Sequence, residues 1–310
     1  MSEERLQHYQ TAERRLWEHF GAEPQDHFLE LQRPRAKVRI QEVGKGEPVL
    51  FVHGGPSAGS EWASLATRLQ DFRCLILDRP GTGLSGPVDY SATDLRSLAV
   101  DVLRSVLDAL GLERSHLVGN SLGGSWALWF AQACPDRVAR MAQIGCPAFI
   151  EGMKLLAFMR LLSIPGLNRV MTKLQPMTVK FARNMFRQIG HGASIDAGRI
   201  PDVLFEWYYH LMKHTATMRR ELTAIEKACV WPWRDMRHDL ILGEQDFRKT
   251  PQPTLFLWGE DDPFGGPQLG HRAAGVLENA TVHAFAKSGH LPWLDDPETI
   301  AHYTRDFLLS

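Results

Sequence analysis

Apolar residues recur at helical spacing at the start of the chain, at Leu6, Tyr9, Ala12, Leu16, Trp17 and Phe20, which predicts an amphipathic helix lying on the main body as an accessory element. The rhythm then changes. Short β-branched and aliphatic runs at 38–43, 49–52, 74–77 and 116–118 alternate with longer helical patterns, as in successive βαβ units. The clearest helix runs from an N-cap at about Thr93, with Asp94 beside it, to Leu110, with Gly111 as its stop. Leu95, Leu98, Ala99, Val102, Leu103, Val106 and Leu107 form one stripe, a face suited to covering a sheet. After a further strand at 141–144 the strand rhythm is lost, and it returns only at 253–258 and 280–285. The middle is therefore read as a helical insertion. Asp296, Pro297 and Glu298 read as N-cap, first helical position and first-turn acid of a last helix.

At 310 residues the chain is at the upper size for one hydrophobic core, so one large domain with an insertion, or two domains, is expected. The domain reading is a core of 1–146 and 250–310, with 1–36 as an N-terminal helical extension and 147–249 as a helical insertion. Lys plus Arg number 35 against 36 Asp plus Glu, a net charge of -1, which gives no global attraction to nucleic acid. Cys74, Cys134, Cys146 and Cys229 include no CxxC pair, which argues against a zinc knuckle or a disulfide framework and for a reducing, cytoplasmic setting. No apolar run approaches membrane-spanning length and the first twenty residues are no signal peptide, so a soluble protein without stable membrane insertion is expected. The net charge also averages two unlike parts. Residues 152–195 contain no Asp or Glu, but have Lys154, Arg160, Arg169, Lys173, Lys180, Arg183 and Arg187 and five of the ten methionines. The bland reading is a solvated basic stripe; the functional one is a cationic lid over an apolar pocket that favours acidic substrates.

The sharpest local signal is Gly119-Asn120-Ser121-Leu122-Gly123, a G-x-S-x-G between a strand and a helix. Such a turn strains the central residue, and the flanking glycines remove side chains that would collide. A serine nucleophile needs a base, and the base an orienting acid, with the acid first in chain order. His290, after the last strand, supplies the base; Glu260, Asp261 and Asp262 follow the strand at 253–258 through Gly259, and spacing alone leaves the acid open among them. His53-Gly54-Gly55-Pro56 after the strand at 49–52 suits the other half of an oxyanion hole, with the N–H groups of Gly55 and Leu122 as the donors. His53 reads as a structural residue of that turn.

Other motifs read as structural. Gly81-Thr82-Gly83-Leu84-Ser85-Gly86 fits G-x-G-x-x-G, but Pro87 and Asp89 follow in place of a helix. His210 and His214 are four apart, but with Leu at 211 and no third ligand they read as an ordinary helical face. No metal and no organic cofactor are called for.

The ordered set His53-Gly54-Gly55-Pro56, Asp78-Arg79-Pro80-Gly81-Thr82-Gly83-Leu84-Ser85, Gly119-Asn120-Ser121-Leu122-Gly123-Gly124, Gly259-Glu260-Asp261-Asp262 and Gly289-His290 resembles the α/β-hydrolase superfamily over about 38–309. The resemblance implies an α/β fold, a mostly parallel doubly wound sheet with a helical cap inserted after strand 6, and it selects Asp262 as the acid. Ser121 departs from the aspartate nucleophile of epoxide hydrolases and haloalkane dehalogenases. The expected activity is a serine hydrolase of carboxylesterase type, acting on a small or medium apolar substrate through Ser121, His290 and Asp262. Gly-Asn-Ser also resembles the carbon-carbon bond hydrolases of aromatic ring-fission products, although those commonly have an aromatic residue where Leu291 stands. His53-Gly54-Gly55-Pro56 resembles proline iminopeptidases as well. A small-molecule receptor or lyase on the same fold is the non-hydrolytic alternative. The expected partner is a small-molecule substrate, and a homodimer through the insertion or the first helix stays open.

Overall fold

The computed structural model describes residues 3–88, 94–174, 177–230 and 235–310. Eight strands form one sheet: β1 (Gln25–Gln32), β2 (Arg35–Val43), β3 (Glu47–Val52), β4 (Phe72–Leu77), β5 (Ser115–Gly119), β6 (Val138–Ile144), then β9 (Thr254–Gly259) and β10 (Ala280–Phe285). A separate antiparallel pair, β7 (Cys229–Val230) and β8 (Asp235–Met236), lies between β6 and β9 in sequence. The sheet order is β1-β2-β4-β3-β5-β6-β9-β10. β2 pairs antiparallel with β1 and β4, and every pairing from β4 to β10 is parallel.

Most strand runs legible in the sequence are buried on both faces, since parallel strands covered by helices read as continuous apolar stretches; the edge strand β10, with no buried residue, is legible from its alternation instead. Side chains alternate across such strands. Leu50 and Val52 of β3, Leu75 and Leu77 of β4, and Phe256 and Trp258 of β9 join one core with Leu98, Val102, Val106 and Trp126. Val49 and Phe51, Cys74 and Ile76, and Leu255 and Leu257 join a second core on the opposite face with Leu16, Trp17, Trp62, Trp293 and Leu308.

The helix expected from Thr93 spans Leu95–Ala109, and its cap is Asp94, whose side chain accepts from Ser97 N–H at 2.9 Å; Thr93 and Asp89 lie outside the described residues. Gly111 ends it in the left-handed region, at φ 67°. Asp296 caps the last helix, Pro297–Leu309, by accepting from Thr299 N–H. Between β6 and β9 stand mainly helices, Asp202–His214 and Thr217–Ala228 the longest.

The helical extension expected over 1–36 is corrected by the structure. Its helix covers Glu3–His19, and β1 follows. β1 is an edge strand in which Leu31 alone is buried, so no apolar run announced it. Nor is the first helix merely accessory. Its Glu13 carboxylate meets the Arg39 guanidinium through two bonds of 2.6 Å and accepts from Tyr9 Oη at 2.6 Å and Ser60 Oγ at 2.7 Å. Arg39 Nε also donates to Asp78 at 2.9 Å, and Asp78 accepts from the N–H groups of Gly59 and Leu84. Arg39 and Asp78 are fully buried.

Removing one member of such a network strands the others as unpaired buried charges. Arg39→Met is therefore expected to lower the unfolding free energy by roughly 3–5 kcal/mol, read as a lower urea midpoint; an unchanged midpoint would contradict the account.

Candidate active site

Because β3, β5, β6, β9 and β10 are parallel and adjacent, their carboxyl ends lie along one sheet edge, with Val52 beside Gly119 and Ile144 beside Leu257. Ser121 stands one residue past the end of β5, after Asn120, and opens the helix Ser121–Ala133 with φ 50°, a strained value for a residue with a side chain. The turn is packed against backbone on both sides. A Cβ on Gly119 would stand 2.8 Å from Gly124 Cα, and one on Gly123 would stand 2.0 Å from the Val52 carbonyl oxygen. A Cβ on Gly54 would come within 3.0 Å of Ser121 Cβ, so the loop after β3 runs beside the serine.

His290 is buried, and its Nδ1 lies 2.8 Å from Asp262 Oδ2. Asp262 also accepts from Cys146 N–H and Phe264 N–H, each at 3.0 Å, which leaves its carboxylate fixed from three sides. Asp261 is exposed, so the choice that spacing left open falls geometrically on Asp262. Asn120 joins the turn to this group: its Nδ2 donates to Ile144 O at 2.7 Å and to His290 O at 3.1 Å. Sequence spacing gave Asn120 no such part, because both partners are distant in the chain.

The two expected oxyanion donors are Leu122, next to Ser121 in the chain, and Gly55, next to the Gly54 whose Cβ would come within 3.0 Å of Ser121 Cβ. Leu122 N–H belongs to the first turn of its helix, where backbone donors have no helical partner. The peptide that carries Gly55 N–H is held through Gly54 O, which lies 2.6 Å from His53 Nδ1 and accepts from Arg79 Nη2 at 2.9 Å. Since C=O and N–H point opposite ways in a peptide, Gly55 N–H faces away from Arg79. His53 Nε2 accepts from Arg79 N–H at 3.1 Å, so its proton sits on Nδ1. Burial, and then the Arg79 charge, push this imidazole well below its ordinary pKa, as a structural residue of the turn would be.

The insertion contributes differently from the cationic lid that its composition suggested. Arg183 and Arg187 pair at 2.5 Å with Asp202 and Asp196, both exposed, and Lys154, Arg169 and Lys180 are exposed. Toward the loop after β3 the insertion presents acid instead. Glu221, buried on the helix Thr217–Ala228, has Oε1 3.1 Å from Arg79 Nη2 and would meet a Cβ on Gly55. Glu61, buried in the short turn Gly59–Trp62, is pushed up to about 7 by burial. Tyr208 of the helix Asp202–His214 is raised by burial and by the charges of Glu61 and Glu221. None of these had a sequence signal beyond its type.

His210 and His214 stack on His8 of the first helix, with ring centroids 6.2 and 5.1 Å away. A cavity of about 460 Å³ there is lined by Glu4, His8, Arg15, Glu206 and His210 among others, and by none of the five expected site residues.

A profile of the alpha/beta hydrolase family matches residues 49–302. The chain belongs to the alpha/beta hydrolase family. As a member of it, the chain is 30% identical over 288 residues to a 2-hydroxy-6-oxononadienedioate/2-hydroxy-6-oxononatrienedioate hydrolase of Paraburkholderia phymatum, covering 88% of this chain and 91% of the relative. In fold it is similar to a naproxen esterase from Bacillus subtilis, at TM-score 0.72 and 17% identity over 99% of both chains. A meta-cleavage product hydrolase from Pseudomonas fluorescens gives TM-score 0.71 and 19% identity over 91% and 97%.

Glu61 gives this hydrolase a pH-dependent stability. Below its ordinary value of 4.5 the carboxyl is neutral folded and unfolded; as pH rises through about 7 the folded state must hold a buried charge, and stability is lost. Glu61→Gln is expected to leave stability unchanged near pH 4 and to raise it by up to about 3 kcal/mol near pH 8.5. Urea unfolding at both pH values checks this, and equal effects would contradict it.

Proposed function

We propose that this hydrolase cleaves a carbon-carbon bond next to a ketone in an acidic dienol, as a product of aromatic ring fission presents it. The observation that carries the reading is the 30% identity over 88% of the chain to a relative named for such a substrate. The pairing of His290 with Asp262 at 2.8 Å, the strained Ser121, and the bond from its neighbour Asn120 to the His290 carbonyl support the chemistry. This reading displaces the carboxylesterase expectation as the leading one.

A carbon-carbon bond breaks heterolytically only if the departing carbon can carry the electron pair. A 2-hydroxy-6-oxo-dienoic acid meets that need in its keto form, because the pair runs through the remaining double bond into the 2-oxo group. Ser121 Oγ adds to the distant ketone as His290 takes its proton, and the resulting oxyanion rests on Gly55 and Leu122 N–H. The carbon-carbon bond then breaks, the departing dienolate takes the proton from His290, and an acyl group stays on Ser121. Water, deprotonated by His290, releases that acyl group as a carboxylic acid. Asp262 keeps the His290 proton on Nδ1 and so directs Nε2 at the serine.

Ester hydrolysis is the second reading, and two observations favour it. Leu291 follows His290, and Arg183 and Arg187 of the insertion are engaged by the exposed Asp202 and Asp196 instead of forming a cationic lid.

Incubation with a 2-hydroxy-6-oxo-dienoate, followed as loss of its dienol absorbance, is expected to give turnover at least tenfold above that of p-nitrophenyl butyrate in kcat/KM, roughly the margin that site complementarity provides. Ser121→Ala should lower either turnover by at least about a thousandfold while the fold persists. Faster ester than dienol turnover would favour the second reading, and an active Ser121→Ala would sink both.

A further inference from the structure

A further buried imidazole, that of His191, stands against the loop that carries His290. His191 ends the tight turn Arg187–His191 in the segment between β6 and β9 and is fully buried. Its Nδ1 lies 2.9 and 3.0 Å from the two carboxylate oxygens of Asp295, and its Nε2 accepts from Leu291 N–H at 3.2 Å. These partners fix its form, with the proton on Nδ1 and the Nε2 lone pair taken up by Leu291 N–H.

Asp295 and the same turn also hold the loop that carries His290. Asp295 Oδ2 accepts from Ser288 Oγ and from Gly289 N–H, each at 2.9 Å. Ile189 O accepts from His290 N–H at 2.9 Å. Each of the four residues 288–291 is therefore bound to Asp295, to His191 or to Ile189. Gly190, at φ 98°, has no room for a side chain, since a Cβ would meet Asp261 O at 2.4 Å and Gly289 Cα at 2.7 Å. The turn is thus wedged between the loop that bears Asp262 and the loop that bears His290.

We propose that His191 is a positioning residue for His290: by bridging Asp295 and Leu291 N–H it couples docking of the inserted segment to the aim of the His290 imidazole. The inference rests on His290 being the base. Without His191, Leu291 N–H loses its acceptor and Asp295 loses a donor, and the loop gains freedom in which His290 can turn away from Asp262 and Ser121. A misaimed base slows the reaction of Ser121 more than it weakens substrate binding.

The test uses the full chain and a fluorophosphonate probe, whose rate of attachment to Ser121 reports the serine's activation whatever the natural substrate. His191→Gln places an acceptor where Nε2 stands and keeps the Leu291 contact; His191→Asn reaches only toward Asp295. Relative to wild type, His191→Ala and His191→Asn are expected to label at least about tenfold more slowly, and His191→Gln within about threefold of wild type. With p-nitrophenyl butyrate the loss should fall on kcat, with KM changed by less than about threefold. Folded His191→Ala that labels at the wild-type rate overturns the proposal. If His191→Ala does not fold, equal labelling of the Gln and Asn variants overturns it. Wild-type protein that takes no label overturns the reading of Ser121 and His290 themselves, and the proposal with it.

Discussion

At the turn after β5 the helix Ser121–Ala133 begins so close to β3 that a methyl group on residue 123 would stand 2.0 Å from the Val52 carbonyl oxygen. That approach is what holds Ser121 at φ 50°, because a turn free to relax would return a side-chain-bearing residue to negative φ. The surrounding geometry follows from it. Gly54 passes beside Ser121 because β3 ends there, and Asn120, fixed by the same turn, reaches both β6 and the His290 carbonyl. The sheet core, buried on both faces, supplies the rigidity against which the strain is held.

Two consecutive residues after β4 moor the parts of the chain that lie outside this core. Asp78 binds Arg39, which binds Glu13 of the first helix; Arg79 binds the loop after β3 and pairs with Glu221 of the inserted segment. Both arginines are fully buried, so each ion pair stands where water does not compete and a missing partner is costly. The first helix and the insertion are thereby referred to one short piece of backbone against the loop after β3. A third attachment, from His191 to Asp295 and Leu291, runs to the loop of His290 instead.

Some of this was readable from residue order. The strands buried on both faces appear as unbroken aliphatic runs, and glycine-framed turns mark where those strands end, so β3, β5 and β9 and the residues just after them could be placed. β1 could not, since an exposed edge strand of Gln25, Asp26, His27 and Glu30 has no buried run to betray it. The basic composition of 152–195 left a solvated stripe and a cationic lid both open for a related reason: Arg183 and Arg187 find Asp202 and Asp196, as a solvated stripe would, and composition carries no direction for a side chain.

Residue types and their local spacing therefore determined the family, most of the strand positions along the chain and the serine, acid and histidine to be tested, because a strained glycine-framed turn and a run of buried strand residues are properties of contiguous chain. The resemblance pointed to Asp262; only the tertiary structure decided that its carboxylate meets His290 while held by Cys146 N–H and Phe264 N–H, that Glu61, Arg79 and Glu221 share the space near Gly55, and that His191 lies against the His290 loop. Those are meetings between residues tens to hundreds of positions apart. They depend on how the helices between β6 and β9 dock, and burial and charge at such meetings are set by neighbours that no local pattern encodes.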